Sequence, residues 1–434
     1  MWIKRINNIP YLVLAIWIIM FLCTHAPNLE YDTHGYIHFD VRRPPLYPIF
    51  IWLFNWAGYY QFQLLIWIQG CLLCAALMYA RHWLRTNLKL SDFSIFLVCV
   101  AVVFTISLHF QITYVQSEGI TFPLFIVIFF LLIECFNKFN LRKICYLAAL
   151  TSVLILTRLQ FMYFYVIFGI LCLWYLWQHV PIKLCGIAIA LLFGSMLTTI
   201  FIDHGYHYVK HGIFGGAPYG GILLLVQTLY LADNDAARYF KDPIEKDYVQ
   251  SLIDRRNAQH LNSNILLLKH FKPTFYENAY HVYAKKYIKL QQLIENILSY
   301  KTSAFTADAM AMRINKIFFI HNIKTNLLFL LWKFIKCMEG VPVFTFFCIA
   351  LITSMVKIAR NKIRAPDLSL IFIFIVTIVT ILNAAIIAIC NPYLPGYFCY
   401  SQFIFYCVAA FLSTTNFQYA SNPWSTPDCT DTST

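Results

Sequence analysis

Residues 367–390 read "DLSLIFIFIVTIVTILNAAIIAIC", with one acid at the start and no basic residue. A run of about 20 apolar residues is long enough to cross a bilayer as a helix. Inside hydrocarbon the backbone N–H and C=O groups must pair with each other, and a helix satisfies them within one segment. Comparable runs recur at about 10–25, 61–80, 92–109, 119–136, 144–157, 161–177, 184–202, 342–358 and 397–413. The segment at about 45–58 is apolar too, but it opens with Pro44-Pro45 and Pro48. It is expected to form a short interfacial or re-entrant helix. The rest of the chain agrees: 60% of residues are hydrophobic and only 12% are charged, against roughly 25% charged in soluble domains. A membrane β-barrel would alternate apolar and polar residues over stretches of about ten, and these runs do not alternate. The expected fold is an all-α polytopic membrane protein with about ten spans, each near the length a bilayer requires.

The net charge of +13 follows the spans rather than a soluble surface. Lys4 and Arg5 precede the first span. Arg81, Arg85 and Lys89 lie between the second and third, and Lys138, Arg142 and Lys143 between the fourth and fifth. Lys357, Arg360, Lys362 and Arg364 lie between the eighth and ninth. All four groups fall on one side, which the positive-inside rule makes cytoplasmic. No basic stretch is interleaved with stacking aromatics in a soluble segment, so nucleic acid is excluded as a partner. Most Cys lie in apolar runs (Cys71, Cys74, Cys99, Cys172, Cys185, Cys348), where they serve as small hydrophobes. Neither a disulfide framework nor a Cys metal site is expected. The N-terminal apolar run follows a basic start and lacks a small-x-small cleavage site, which fits a retained signal anchor.

Four regions follow. Residues 1–202 form an N-terminal transmembrane module with seven spans and a first external loop at 26–60. Residues 203–341 form a helical external segment, with 325–335 along the membrane surface. Residues 342–414 carry the C-terminal spans, and 415–434 form a disordered cytoplasmic tail. The Ile-, Lys- and Asn-rich composition favours a bacterial inner membrane over the ER.

Ionisable residues at membrane depth are costly and therefore functional candidates. Asp32 in the first external loop, Glu118 at the start of the fourth span and Arg158 between the fifth and sixth all fall on the external face. Acids and cations at that level suit a sugar carried on a polyprenyl phosphate. A carboxylate accepts the proton of an attacking hydroxyl, and an arginine binds the leaving phosphate with paired donors. Neither a P-loop nor a dinucleotide fingerprint is present in the sequence.

"DTHGY" (Asp32–Tyr36) followed by "RRPPLYP" (Arg42–Pro48) resembles the first external loop of the GT-C membrane glycosyltransferases. That group includes the protein O-mannosyltransferases and the lipid A aminoarabinose transferases. Asp32, Tyr36 and Arg43-Pro44-Pro45 match its loop pattern. Ser117-Glu118 matches the second acid at the start of a span, and Arg158 matches an arginine between later spans, with Leu159 in place of the usual proline. Leu394-Pro395-Gly396-Tyr397 stands where many relatives carry Arg-Tyr.

The resemblance implies a GT-C-like helix bundle that transfers a sugar from a polyprenyl-phosphate donor to a hydroxyl of a glycan, lipid or protein. Asp32 would be the catalytic base and Glu118 its support. Arg43 or Arg158 would hold phosphate, with Tyr36, Arg42, Tyr47 and Tyr397 lining the substrate site. It leaves room for a divalent cation, magnesium or manganese, at Asp32 and Glu118. No other cofactor is expected.

A transporter or flippase of a lipid-linked or anionic substrate would use the same charges, and a glycan polymerase or ligase would use a lipid diphosphate. His34/His38 and His207/His211 have the i,i+4 spacing of helical metal pairs. In both cases a neighbouring His-Gly-Tyr is expected to break the helix.

Overall fold

A computed structural model describes residues 8–107, 112–263, 273–300, 302–360, 367–392 and 395–421. Lys4, Arg5, Lys362, Arg364 and the tail from residue 422 lie outside the described residues. In chain order the helices are α1 (Ile9–Thr24), α2 (Tyr31–Ile37), α3 (Leu46–Trp52), α4 (Gln61–Asn87), α5 (Asp92–Ala101), α6 (Glu118–Asn137), α7 (Leu141–Thr157), α8 (Phe164–Trp177) and α9 (Ile182–His211). They continue with α10 (Gly220–Leu231), α11 (Pro243–Ala258), α12 (Pro273–Leu298), α13 (Ala304–His321), α14 (Ile323–Cys337), α15 (Val341–Arg360), α16 (Leu368–Cys390) and α17 (Pro395–Ser421). No strand occurs among the described residues. Seven helical stretches are long and apolar enough to span a membrane, and α1 and the α5 region are shorter apolar helices. The protein is an all-helical, multi-pass membrane protein.

α6 is the central post. It packs between α4, α7 and α16 and is buried over most of its length. Phe122, Phe125, Phe129 and Phe130 fill its surroundings. By contrast, α9 exposes Phe193, Leu197 and Phe201. An uncovered apolar face of this kind belongs against lipid.

A second hydrophobic cluster lies within the segment after α9. It is built on α10 to α14, with Tyr230, Tyr283, Leu290, Ile314 and Phe329 inside. α10 runs tightly along α13. An added Cβ at Gly221 would lie 2.9 Å from the Met312 backbone nitrogen and would overlap the Asp308 carbonyl. Only glycine permits that approach.

Three expectations need correction. α9 does not stop at residue 202 but continues to His211, where Gly212 (φ 76°) ends it in a left-handed cap. Neither His-Gly-Tyr breaks its helix. Gly35 lies inside α2 and Gly205 inside α9. One glycine costs about 1 kcal/mol, which the 30-residue α9 absorbs, whereas the seven-residue α2 ends two residues after Gly35. The backbone of residues 415–421 is helical, as the last part of α17, rather than disordered.

Candidate functional site

The first loop is held by local rules. Thr33 Oγ1 accepts from the Glu30 N–H (3.0 Å), so a capping box starts α2. At the other end of α2, Phe39 takes a left-handed φ of 53°. Asp40 then forms a turn: its carboxylate accepts from the Arg42 N–H (2.9 Å), and its carbonyl accepts from the Arg43 N–H (2.9 Å). The turn sends two consecutive arginines in different directions. Pro45 precedes α3, whose Tyr47 is fully buried.

A single parallel bridge joins this loop to the residues before α6. The Asn28 N–H donates to Thr113 O (2.7 Å), and the Val115 N–H donates to Asn28 O (3.1 Å). Thr33 Oγ1 donates to Val115 O (3.0 Å). Asp32 is therefore brought beside Ser117-Glu118.

Two ion pairs form there. Arg43 Nη2 donates to Asp32 Oδ1 at 2.5 Å, with the Asp32 side chain 45% exposed. Arg158 pairs with Glu118 deeper in, both side chains being 12% exposed. Arg158 can reach because α7 ends at Thr157 and Arg158 itself is extended. Ser117 lies between the two pairs. Its hydroxyl accepts from Tyr36 OH (3.3 Å) and Arg158 Nη1 (3.3 Å) and donates to Glu118 Oε2 (3.2 Å).

Aromatic rings hold the cations. The Arg43 guanidinium lies 4.8 Å from the Tyr36 ring centroid, and Arg158 lies 4.4 Å from that of Tyr397. Tyr47 meets Tyr36 edge-on at 4.8 Å, and its hydroxyl accepts from Gln69 Nε2 (2.9 Å). Burial pushes the Tyr36 phenol above its ordinary pKa, and Arg43 offsets part of that rise. Tyr36 therefore stays a hydrogen-bond donor at neutral pH.

The geometry thus gathers Asp32, Tyr36, Arg43, Tyr47, Glu118, Arg158 and Tyr397. Arg42 leaves the group. Its Nη1 donates to Glu295 Oε2 (3.0 Å) on α12.

Sequence reasoning missed the polar brace behind Arg158. Arg158 Nε donates to Gln160 Oε1 (3.0 Å), and Gln160 Nε2 donates to Asn383 Oδ1 (2.7 Å) and Tyr397 O (3.0 Å). Asn383 Nδ2 donates to Ser401 Oγ (3.0 Å). The available signal was Gln69, Gln160 and Asn383, uncharged polar residues in otherwise apolar runs. Such side chains also need partners when buried.

Asp32 and Glu118 each already carry a guanidinium. Among the described residues no group of three or more His, Cys, Asp or Glu is set to hold an ion.

Comparison with protein-family models, curated proteins and solved structures finds no match.

Proposed function

We propose that the protein is a membrane glycosyltransferase that moves a sugar from a polyprenyl phosphate to an acceptor hydroxyl at the external face. One observation carries the reading. Two carboxylate–arginine pairs from three separated stretches of the chain meet around Ser117 and Tyr36.

The pairs suit a reaction in which negative charge moves from one place to another. The donor is a phosphodiester with one negative charge. The acceptor oxygen attacks the anomeric carbon, and the bond from that carbon to the phosphate oxygen breaks. The acceptor proton passes to Asp32, the more exposed of the two acids. The leaving polyprenyl phosphate gains a second negative charge. Asp32 loses its charge in the same step and releases Arg43, whose guanidinium then turns to the phosphate. Arg158, held by Glu118, Gln160 and the Tyr397 ring, is a fixed second donor. Fixed donors at the position of developing charge are the largest catalytic contribution in many enzymes.

The test uses a polyprenyl-phosphate sugar labelled in the sugar, with purified protein in vesicles and a host membrane extract as the acceptor pool. Wild type should move label to acceptor. Asp32→Asn should do so about 10²–10⁴-fold more slowly with unchanged insertion. Normal transfer by Asp32→Asn would remove Asp32 as the base. Labelled lipid crossing the bilayer without transfer would establish a flippase instead.

A further inference from the structure

Arg42 and Arg43 are adjacent in sequence but belong to different networks. Arg43 pairs with Asp32, and Arg42 pairs with Glu295. Arg42 neighbours Arg43 in the chain, so its pair with Glu295 ties α12 to the loop that carries the charge cluster. Glu295 also accepts from Gln291 Nε2 through Oε1 (3.0 Å). Gln291 Nε2 donates to Tyr219 OH as well, and the Arg42 guanidinium faces the Tyr219 ring at 5.7 Å.

Tyr287, Gln291 and Glu295 recur every four residues, so they share one face of α12. Tyr287 anchors that face beside the chain that leads to Tyr397: its hydroxyl bonds to Asn391 Oδ1 (2.7 Å) and Cys390 O (3.2 Å). Tyr219 is raised above its ordinary pKa, first by burial, then by Glu295 and Tyr397. Its hydroxyl and ring meet Gln291 of α12 and Arg42 of the first loop.

We infer that Glu295, Gln291 and Tyr219 read the hydroxyls of the donor's sugar. The inference rests on the glycosyltransferase reading. In this reading phosphate binds at Arg43 and Arg158, and the sugar lies towards α12, the helix tied to the adjacent Arg42. A carboxylate, a carboxamide and a phenol give acceptors, donors and an aromatic face in fixed positions. That set distinguishes hydroxyl configuration, whereas a lipid tail needs none of it. The network is not sealed: the Arg42 and Glu295 side chains are 32% and 17% exposed.

The experiment is equilibrium binding in nanodiscs, which needs no acceptor. The probes are polyprenyl phosphates carrying glucose, galactose or mannose, and the sugar-free polyprenyl phosphate. The proteins are full-length wild type, Glu295→Gln, Gln291→Ala and Tyr219→Phe. Wild type should prefer one epimer by about tenfold or more, the size of one hydrogen bond to a charged group. In Glu295→Gln and Gln291→Ala the preference should shrink to within about threefold, a loss of comparable size. Sugar-free polyprenyl phosphate should bind all four proteins equally. A preference retained in the variants would overturn the inference. So would an equal loss for every probe, which marks a latch between the loop and α12. Wild type that binds the sugar-free lipid but shows no preference removes the inference alone. Wild type that binds none of the four probes removes the glycosyltransferase reading with it.

Discussion

Arg158 forms a buried ion pair with Glu118, reaching from the end of α7 to the first residue of α6. Breaking such a pair leaves an uncompensated charge, which costs about 3–5 kcal/mol. Glu118→Gln and Arg158→Gln should each destabilise the protein by that order. The double variant should cost less than the sum of the two. Thermal unfolding of all four proteins in one detergent gives the cycle. Strict additivity would show that the pair is not coupled.

Arg158 should also act on the donor. Arg158→Lys keeps the charge but loses the planar fork that reaches Ser117 and Gln160 at once. Its affinity for sugar-free polyprenyl phosphate should fall about tenfold, and that of Arg158→Ala further, since a charged hydrogen bond contributes about 1.5–3 kcal/mol. Binding titrations check both. Equal affinity in wild type and both variants would assign Arg158 to structure alone.

Asp40 provides the contrast to Asp32. Its carboxylate caps a turn by accepting the Arg42 N–H, a bond that an asparagine oxygen can also accept. Asp40→Asn should therefore leave transfer within about threefold of wild type, a change of well under 1 kcal/mol. Asp40→Ala should lower it further by loosening both arginines. Rates from labelled donor decide. A dead Asp40→Asn beside an active Asp32→Asn would exchange their roles.

Gly221 marks where α10 and α13 touch. Gly221→Ala places a Cβ against the backbone of Asp308 and Met312, which cannot rotate away. A loss of about 1–3 kcal/mol is expected from overpacking of this kind. Hydrogen exchange should speed up in 220–321 and stay unchanged in α6. Uniform acceleration would mean that the two hydrophobic clusters unfold as one.

Lys333 is fully buried on α14. Its amine donates to Gln227 Oε1 (3.0 Å) and lies 5.1 Å from the Tyr283 ring centroid. Burial pushes its pKa down to about 8, against about 10.4 in an unfolded chain. Between those values the unfolded chain binds more protons, so stability should rise as pH rises from about 8 towards 10.4. Below about pH 8 both states are protonated and the cost of the buried charge is full. Lys333→Met should be more stable at neutral pH and should lose this dependence. Hydrogen exchange in α14 at pH 7 and pH 9, corrected for intrinsic rates, tests it; an identical pH response in both proteins would rule it out.

The helices and the membrane were legible in the sequence, because lipid imposes a local requirement: each span must be apolar and must satisfy its own backbone. The apolar runs at 119–136 and 367–390 therefore became α6 and α16 within a few residues. Asp32, Glu118 and Arg158 were visible for the complementary reason, being costly groups in an apolar chain. Their pairing was not legible. It depends on the Asn28–Tyr114 bridge and on the extended Arg158, which join stretches that no local pattern connects. The different paths of Arg42 and Arg43 were hidden in the same way. They depend on the Asp40 turn and on where α12 packs. Glu295 and Tyr219 gave no sequence signal, since charged and aromatic residues are ordinary in a polar segment. Only tertiary packing brings them to Arg42, because a side chain's partner is set by which helices meet and not by its neighbours in the chain.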